Sequence, residues 1–380
     1  MSLELKNLYD DFRDADTIKA YAQIIKKDAL KLQKPINIME VCGGHTHTIM
    51  KYGIPQLLPK NINFVHGPGC PVCVMPKERI DHAFVLSMLD DVILVTLGDM
   101  IKVPGSKGSL QNARSRGADV RFVYSPLDTL KIAKENPEKK VIFFAIGFET
   151  TTPMSAALFD SVIKQGIKNI LFHINHVTVP EAMRLLVSSR DNKIDAFLGP
   201  AHVSVISGAK IYEEFPRDFS KPVVVSGFEP VDVMHSISMI VKQFVENRCD
   251  LEVEYNRLVS FDGNLKAQEL VKKYFEKASV FKWRGIGNIE NSALKLRDEF
   301  DEYNAEVIYK DILPTKEIND HKLCLCGDIL RGVATPPECT IFGTSCKPSS
   351  PVGSCMVSSE GACAAYYKYG NMLKKEKHGL

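Results

Sequence analysis

Cysteine is the residue type in this sequence with the clearest capacity for chemistry, and its distribution along the chain is uneven. Of the ten cysteines, three lie between residues 42 and 73, six lie between residues 324 and 363, and only Cys249 is isolated. In a reducing compartment structural disulfides are rare, and closely spaced cysteines more often bind metal or take part in thiol redox chemistry. The two groups therefore indicate two sites, with Cys249 as an incidental residue.

The C-terminal group lies in a segment rich in Gly, Pro and Ser, and its members are Cys324, Cys326, Cys339, Cys346, Cys355 and Cys363. Six thiols could form three disulfides, one zinc site with two thiols to spare, or a four-thiolate iron–sulfur cluster beside a redox pair. Zinc ribbons usually show paired Cys-x-x-Cys knuckles, which are missing here. A loop-rich segment can supply the four thiolates of a cluster, so we favour the cluster.

The first N-terminal loop, VCGGHTHTI at residues 41–49, follows a predicted strand and brings sulfur and imidazole groups together. Its two glycines let the backbone turn tightly and approach a ligand closely, while Cys42, His45 and His47 supply soft and borderline donors. Hydrogen-bonded loop histidines are the alternative interpretation of this pair and the simpler one for His47, whereas His45 is predicted to act in the site beside Cys42. Cys42, which lies between a buried strand and Gly-Gly, is predicted to be a functional thiol.

The second N-terminal loop, HGPGCPVCVMP at residues 66–76, contains a Cys-x-x-Cys unit formed by Cys70 and Cys73. Residues 77–90 are predicted to form a helix after it. A thiol near a helix N-terminus has its thiolate stabilised, which predicts a lowered pKa for this pair. A thioredoxin-type dithiol and half of a zinc knuckle are the alternatives, although the surrounding sequence matches a thioredoxin domain poorly.

Short runs rich in β-branched residues alternate with helical segments, which predicts an α/β fold with parallel sheets covered on both faces. The runs are INIMEV (36–41), NFVHG (63–67), VILVTLG (92–98), VRFVYS (120–125), VIFFAIG (141–147), NILFHI (169–174), DAFLGP (195–200) and PVVVSGF (222–228). Several of them run straight into loops that carry Gly, Pro, His or Cys. In parallel sheets such loops meet at the carboxyl edge, where open α/β folds place their sites.

A chain of 380 residues is longer than one core usually organises, so we expect three segments. Two are parallel-sheet α/β domains, one at residues 1–150 with the N-terminal thiol site and one at residues 151–319, and we leave open that their strands interleave. The second includes a helical part, clearest at residues 233–246 and 267–278. The third, residues 320–380, has too few apolar residues to fold without a stabilising cross-link or bound metal, and it is predicted to be a small iron–sulfur domain.

Five further side chains are weaker candidates for a functional site: Glu149, His176, His202, Trp283 and Glu360. The threonines after Glu149 are predicted to lie at a helix N-terminus, with one of them as its cap. The two histidines follow predicted strands and could face the same cleft, but each is more simply a hydrogen-bonded loop histidine. Glu360 could act near the cysteines or be solvated, and Trp283 could serve in packing or in a partner contact.

The overall composition excludes several classes of function. Hydrophobic residues make up 45% and charged residues 25% of the sequence, and the net charge of +2 gives no reason to expect nucleic acid or an anionic membrane as a partner. The N-terminus has no apolar segment of the secretory type. The most apolar runs, such as residues 141–148, are far shorter than the roughly 20 residues that cross a bilayer. A cytoplasmic protein is expected.

Several motifs resemble, in order, the signatures of the HypD family of [NiFe] hydrogenase maturation proteins: CGGHTHT (42–48), GPGCPVC (67–73), GFETTTP (147–153), HVTVP (176–180), GPAHVS (199–204) and the C-terminal cysteines. The similarity extends over essentially the whole chain. It implies a scaffold that works with HypC to assemble an Fe(CN)₂CO unit for the hydrogenase large subunit, with cyanide delivered by HypE as a thiocyanate. It also implies that Cys42 binds the iron together with a HypC cysteine, and that Cys70 and Cys73 act in the same site.

The spacing of the C-terminal cysteines also resembles that of ferredoxin–thioredoxin reductase, in which a cluster sits beside an exchangeable disulfide. This second resemblance implies a [4Fe-4S] cluster on Cys324, Cys339, Cys346 and Cys363. It leaves Cys326 and Cys355 as the redox pair. Two other functions stay open, namely a free-standing iron–sulfur thiol–disulfide reductase and a structural zinc protein that serves as an interaction platform.

Overall fold

The computed structural model describes residues 10–370, and two parallel β-sheets organise this part of the chain. Sheet A has the strand order β2-β1-β7-β8-β9, sheet B has the order β4-β3-β5-β6, and β10 and β11 form a separate antiparallel hairpin. The strands are β1 (Ile36–Glu40), β2 (Ile62–His66), β3 (Val92–Leu97), β4 (Val120–Val123), β5 (Lys140–Gly147), β6 (Ile170–His176), β7 (Ala196–Pro200), β8 (Val223–Ser226), β9 (Leu251–Val253), β10 (Phe275–Trp283) and β11 (Gly287–Leu296).

Helices connect the parallel strands and cover the sheets. They are α1 (Ala15–Ala29), α2 (Gly43–Lys51), α3 (Ile54–Leu57), α4 (Lys77–Ser87), α5 (Leu110–Ser115), α6 (Asp128–Glu135), α7 (Thr152–Gln165), α8 (Val179–Val187), α9 (Ala201–Ser207), α10 (Glu214–Phe219), α11 (Pro230–Val245), α12 (Leu265–Tyr274), α13 (Ala305–Ile308), α14 (Cys326–Leu330) and α15 (Ala362–Tyr369). Short 3₁₀ turns lie at Asp11–Arg13, Gly98–Lys102, Ala209–Tyr212, Asp298–Tyr303, Pro336–Glu338 and Ser354–Met356. None of these helices is long and apolar enough to cross a membrane.

The central strands are nearly continuous apolar runs because both faces of each sheet are covered. Strand β5 is buried at every position after Lys140, and all of β6 is buried. Such runs are typical of parallel strands packed between helices. The predicted α/β class with parallel sheets, and a small C-terminal segment that holds the second cysteine group, is confirmed.

Both sheets combine strands from either side of residue 150. Sheet A pairs β1 with β7, and sheet B pairs β5 with β6, all in parallel register. Residue 150 therefore does not separate the two sheets. The strands of the two segments interleave, which the sequence analysis had left open. The three ranges 1–150, 151–319 and 320–380 stay a prediction about independently folding units.

One predicted helix is partly wrong. Residues 267–278 were expected to be helical throughout, but α12 ends at Tyr274 and the chain continues as β10, which pairs with β11. The aromatic residues of β10 favour a strand, and Gly285, with φ of 75°, supplies the left-handed turn that closes the hairpin. The hairpin contacts both halves of the fold, since Trp283 and Leu296 belong to different hydrophobic clusters.

Candidate thiol and metal site

Cys42 occupies the point where strand β1 ends and helix α2 begins. It is the N-cap residue, with extended backbone dihedral angles, and its carbonyl accepts hydrogen bonds from the amides of His45 and Thr46. The second thiol loop lies directly against it, because the Gly43 amide donates to the Gly69 carbonyl at 3.0 Å. A Cβ atom on Gly69 would lie only 2.3 Å from the Cys42 nitrogen, so only glycine allows the two loops to approach this closely.

Cys70 and Cys73 form a tight turn beside this loop, and both are buried. The Cys73 amide donates to the Cys70 carbonyl at 3.0 Å, and helix α4 begins only at Lys77. The lowered thiol pKa predicted from a nearby helix N-terminus is wrong for Cys73. Burial, followed by its interaction with Cys70, raises the pKa of Cys73, and the turn places it outside the first turn of the helix.

The pKa of Cys42 is also raised. Its first cause is desolvation of the thiol by the surrounding loops, although part of the residue remains exposed, and the negative charge of Glu360 adds to it. Glu360 lies against the same loop, since a Cβ atom on Gly43 would fall 2.4 Å from the Glu360 Cβ. A cation bound at Cys42 would relieve this unfavourable charge, which suits a thiol that acts as a metal ligand.

His45 is fully buried and held in one tautomer. Its Nε2 lies 3.1 Å and 3.0 Å from the carbonyl oxygens of Ser226 and Gly227, so Nε2 carries the proton and donates it. The ring stacks on Phe228, and burial lowers its pKa to about 4. The Nδ1 atom has no hydrogen-bond partner within the described range, residues 10–370. His45 is therefore a neutral imidazole with a lone pair still available.

His47 is less confined than His45. Its Nδ1 lies 3.5 Å from the Ser359 carbonyl, and its Nε2 lies 3.4 Å from the Tyr369 hydroxyl. Both contacts are at the outer limit of hydrogen bonding. The simpler interpretation of His47, a loop histidine with hydrogen-bonding partners, accounts for what the structure shows.

A cavity of about 320 Å³ opens beside the thiol loops at the carboxyl edge of sheet B. Its lining includes Val72 from the Cys-x-x-Cys turn, Gly147 from the end of β5, and Glu360. Asp99 faces the same space, and burial followed by the charge of Asp99 raises the pKa of Glu360. The cavity therefore lies next to the Cys-x-x-Cys turn, although no cysteine lines it.

The six C-terminal cysteines divide into a pair and a quartet. Cys326 and Cys355 form a disulfide with their Cα atoms 6.4 Å apart. The other four cysteines are free and line one small cavity together with Cys326: Cys324, Cys339, Cys346 and Cys363. This is the division that the reductase resemblance implied, although the roles of the residues stay predictions.

The quartet has the properties expected of thiolate ligands to a soft metal centre. Burial, followed by the charges of the other three sulfurs, raises the pKa of Cys363. Four crowded thiolates repel one another unless a cation compensates them, and iron–sulfur clusters supply that compensation. The Val352 amide also donates to the Cys346 sulfur at 3.4 Å, the kind of hydrogen bond that tunes a cluster. The donor set therefore fits a four-thiolate cluster.

The two cysteine groups lie in direct contact, although more than 250 residues separate them in sequence. The Ser354 hydroxyl donates to the Cys73 carbonyl, and the Cys73 thiol lies 3.9 Å from the Ser354 carbonyl oxygen. Ser354 immediately precedes Cys355 of the disulfide. The N-terminal thiols, the disulfide and the quartet thus form one continuous sulfur-rich region.

The weaker candidates serve mainly in the structure around this region. The Glu149 carboxylate accepts from the Val179 amide at 2.9 Å, and burial raises its pKa to about 8. His176 lies 2.8 Å from the Ser155 hydroxyl. Trp283 is fully buried and donates to the Ser292 hydroxyl at 2.8 Å. Of the two predicted roles for Trp283, packing within the protein therefore fits the structure and contact with a partner does not.

Three other expectations have mixed outcomes. Helix α7 does begin after Glu149, but the hydroxyls of Thr151 and Thr152 donate backwards to the Phe148 carbonyl and do not cap the helix. His202 is exposed and packs on the face of Phe228. The Cys249 thiol donates to a backbone carbonyl at 3.6 Å, away from both cysteine groups, in agreement with an incidental residue.

A second cluster of metal-ligand side chains went unnoticed in the sequence: His82, His173 and Glu306, whose ligand atoms lie within 4.8 Å of one another. Hydrogen bonds already engage these atoms. Asn175 donates to His173 Nδ1 at 3.0 Å, so His173 Nε2 donates to His82 Nδ1 at 3.1 Å. Both carboxylate oxygens of Glu306 accept from Arg79. A metal ion would have to break this network and face the arginine cation, so we assign none.

A buried polar chain beside Cys42 also went unnoticed. At the end of sheet A, the Glu40 side chain contacts His66, and His66 in turn contacts Tyr366. A charged residue at the end of each of two neighbouring strands was the available signal, but the tyrosine comes from a helix 300 residues away from His66.

Comparison with known proteins assigns the chain to a group of relatives over almost its full length. A family model named HypD, described as "Hydrogenase formation hypA family", matches residues 16–370. Hydrogenase maturation factor HypD2 of Bradyrhizobium diazoefficiens is 48% identical over 368 residues, which cover 95% of this chain and 96% of that protein. Hydrogenase maturation factor HypD of Azotobacter vinelandii is 46% identical over 367 residues, covering 95% and 96%. The Escherichia coli factor of that name is 42% identical over 364 residues, covering 95% and 97%.

Proposed function

The chain belongs to the HypD family of hydrogenase maturation factors, and from this premise we propose that it is the scaffold on which the Fe(CN)₂CO unit of a [NiFe] hydrogenase is assembled. In this proposal HypC is the partner that holds the iron together with the chain, and HypE delivers cyanide. The completed unit then passes to the hydrogenase large subunit. Because the reaction needs several free thiols, the proposal also places the protein in the cytoplasm.

Cys42 is the proposed iron anchor. It is partly exposed, whereas Cys70 and Cys73 are buried, so an iron shared with a partner protein can reach Cys42 most easily. Thiolate is a suitable ligand for a soft low-spin Fe(II) that carries cyanide and CO. His45 presents an unpartnered Nδ1 in the same loop and would orient the cargo or accept a hydrogen bond at its edge.

Cyanide transfer requires electrons that the neighbouring thiols can supply. Release of cyanide from a thiocyanate breaks the S–C bond, consumes two electrons and one proton, and returns the donor as a thiol, while the cyanide forms an Fe–C bond. Oxidation of Cys70 and Cys73 to a disulfide provides two electrons and two protons. The balance closes with one proton released to solvent.

Regeneration of the Cys70–Cys73 dithiol is the proposed task of the C-terminal pair. Cys326 and Cys355, once reduced, would return the electrons by thiol–disulfide exchange. The quartet of Cys324, Cys339, Cys346 and Cys363 would hold a [4Fe-4S] cluster. When bound, this cluster supplies electrons one at a time to the adjacent disulfide.

One observation carries the proposal: the buried Cys73 thiol lies 3.9 Å from the carbonyl of Ser354, the residue beside Cys355. The dithiol at the iron site and the pair at the cluster site thus lie side by side. A scaffold without redox work would have no need for this juxtaposition. A purely structural zinc site would also leave the disulfide and the Cys-x-x-Cys turn without a function.

The proposal is tested by anaerobic co-purification of the chain with HypC, followed by infrared spectroscopy and by iron and sulfide analysis. Cyanide and CO stretching bands, together with acid-labile sulfide, are the expected result. A free-standing iron–sulfur thiol–disulfide reductase would show the sulfide but no such bands, and a zinc platform would show neither. Absence of the bands from a complex that contains the cluster would contradict the scaffold function.

A further inference from the structure

A largely buried chain of hydrogen bonds links the Cys42 loop to the helix that carries Cys363, and only its Tyr366 end is partly exposed. Glu40 ends strand β1 and His66 ends the neighbouring strand β2, where the two residues are direct partners in the parallel register. Their side chains are 0% and 2% exposed and contact each other through Glu40 Oε1 and His66 Nδ1. On the far side, His66 Nε2 lies 3.0 Å from the Tyr366 hydroxyl, and the two rings pack edge to face.

The direction of the hydrogen bonds follows from the donors available. Burial raises the pKa of Tyr366 to about 12, so its hydroxyl stays protonated. In a neutral His66 whose Nδ1 donates to Glu40 Oε1, Nε2 is the atom that accepts from the Tyr366 hydroxyl. The same Glu40 oxygen also accepts from the Thr46 hydroxyl at 2.6 Å. The chain thus runs from the tyrosine to the histidine, the carboxylate and the threonine.

Both ends of the chain lie beside residues of the thiol site. Thr46 belongs to the first turn of α2, the helix that Cys42 begins. Tyr366 lies three residues after Cys363 on α15, so the two side chains share one face of that helix. A buried carboxylate and imidazole are costly to desolvate unless hydrogen bonds compensate them. Glu40 Oε1 takes part in both contacts, with Thr46 and with His66, whereas Glu40 Oε2 has no hydrogen-bond partner among residues 10–370. Such a chain fixes the separation of the two elements more sharply than apolar packing does.

We propose that Tyr366 is a positioning residue of the thiol site, which acts through His66 and Glu40 to hold the Cys363 helix in register with the Cys42 loop. The inference rests on the proposed function for its purpose, since only a coupled iron and redox site needs this alignment. It concerns contacts within this chain, however, and its test needs neither HypC nor cyanide.

The test compares Tyr366→Phe, which removes one hydroxyl, with Tyr367→Phe as its matched control. Tyr367 is the next residue on α15 and is 41% exposed. In full-length protein with ¹⁵N-labelled histidine, we expect the His66 Nε2 resonance to lose its hydrogen-bonded shift in Tyr366→Phe alone, with a His66→Gln variant to assign the signal. The Cys42 alkylation rate by iodoacetamide should rise about fivefold in the same variant, the factor that one ordinary hydrogen bond is worth.

A double-mutant cycle separates this role from general loosening of the fold. Tyr366→Phe and His66→Gln break the same contact, so the double variant should alkylate at Cys42 little faster than His66→Gln alone. Additive effects of the two changes would overturn the inference, as would a Tyr366→Phe rate equal to that of Tyr367→Phe. If the HypC complex showed no cyanide or CO bands while this coupling held, the proposed function would fail and the positioning role would stand.

Discussion

Replacement of Gly43 by Ala tests whether the Cys42 loop must lie against the C-terminal segment. Gly43 is the first residue of helix α2, and an added Cβ atom would lie 2.4 Å from the Cβ and 2.5 Å from the carbonyl oxygen of Glu360. Ordinary contact begins at about 3.4 Å, so the two segments would have to separate by about 1 Å. Both atoms are close to the backbone, so a change of rotamer cannot relieve the clash.

Two opposing effects decide the sign of this change. Alanine in a helix is intrinsically favoured over glycine by about 0.5–1 kcal/mol. Overpacking of a well-packed contact costs about 1–3 kcal/mol. We therefore expect Gly43→Ala to lower the free energy of unfolding by about 1–2 kcal/mol, which corresponds to a few degrees in melting temperature.

Gly98→Ala provides the matched control, because an added Cβ atom there meets nothing within 4 Å and the residue does not need a left-handed backbone. It should leave the melting temperature unchanged or raise it slightly, since alanine restricts the unfolded chain. Thermal unfolding of both variants, followed by circular dichroism, measures the difference. A melting temperature for Gly43→Ala at or above that of Gly98→Ala would refute the close packing of the Cys42 loop on Glu360.

The remaining predictions concern the metal site, the redox pair and a buried acid. Replacement of Cys339 or Cys346 by Ala should abolish the visible absorbance of the proposed cluster, because each is one of its four proposed ligands; retention of four irons per chain would contradict the assignment. The double variant Cys326→Ser/Cys355→Ser should keep the cluster but block hydrogenase maturation in a complementation assay, and loss of the cluster would show that the division into pair and quartet is mistaken. Burial raises the pKa of Glu149 from 4.5 to about 8, so in this window the folded state keeps a proton that the unfolded state has released, and stability falls as the pH rises. Glu149→Gln should therefore gain melting temperature over the wild type as the pH is raised through this window, and a constant difference would contradict the buried acid.

The fold class could be predicted because the strands are long apolar runs that end in chemically distinctive loops. Cys42 and the Cys70–Cys73 turn each follow a strand of sheet A, and adjacent parallel strands bring their carboxyl ends together. That rule accounts for the closeness of the two loops, whereas the expectation that their cysteines share a site came from the resemblance to the HypD family. The strand order could not be predicted in the same way, because the pairing of β1 with β7 joins segments that only tertiary packing brings together.

The acid strength of the thiols was the largest error of sequence reasoning. Proximity to a predicted helix suggested a lowered pKa, but burial of Cys73 dominates and raises it. Cys73 is buried because the C-terminal segment packs on the Cys-x-x-Cys turn through Ser354. No local sequence pattern predicts that contact. The same applies to Tyr366 on helix α15, because its partner His66 ends strand β2, 300 residues earlier in the chain. The hairpin of β10 and β11 was missed because helical spacing continued past Tyr274.

The most direct test of the central claim is the infrared spectrum of the HypC complex with Cys42→Ala, with Cys249→Ala as the matched control. Cys249 is also a free, partly exposed cysteine, but it lies outside both cysteine groups. If Cys42 anchors the iron, Cys42→Ala should lose the cyanide and CO bands and keep the visible spectrum of the C-terminal cluster, while Cys249→Ala should keep both. Full-strength cyanide and CO bands in Cys42→Ala would contradict the anchoring role and shift it to Cys70 or Cys73.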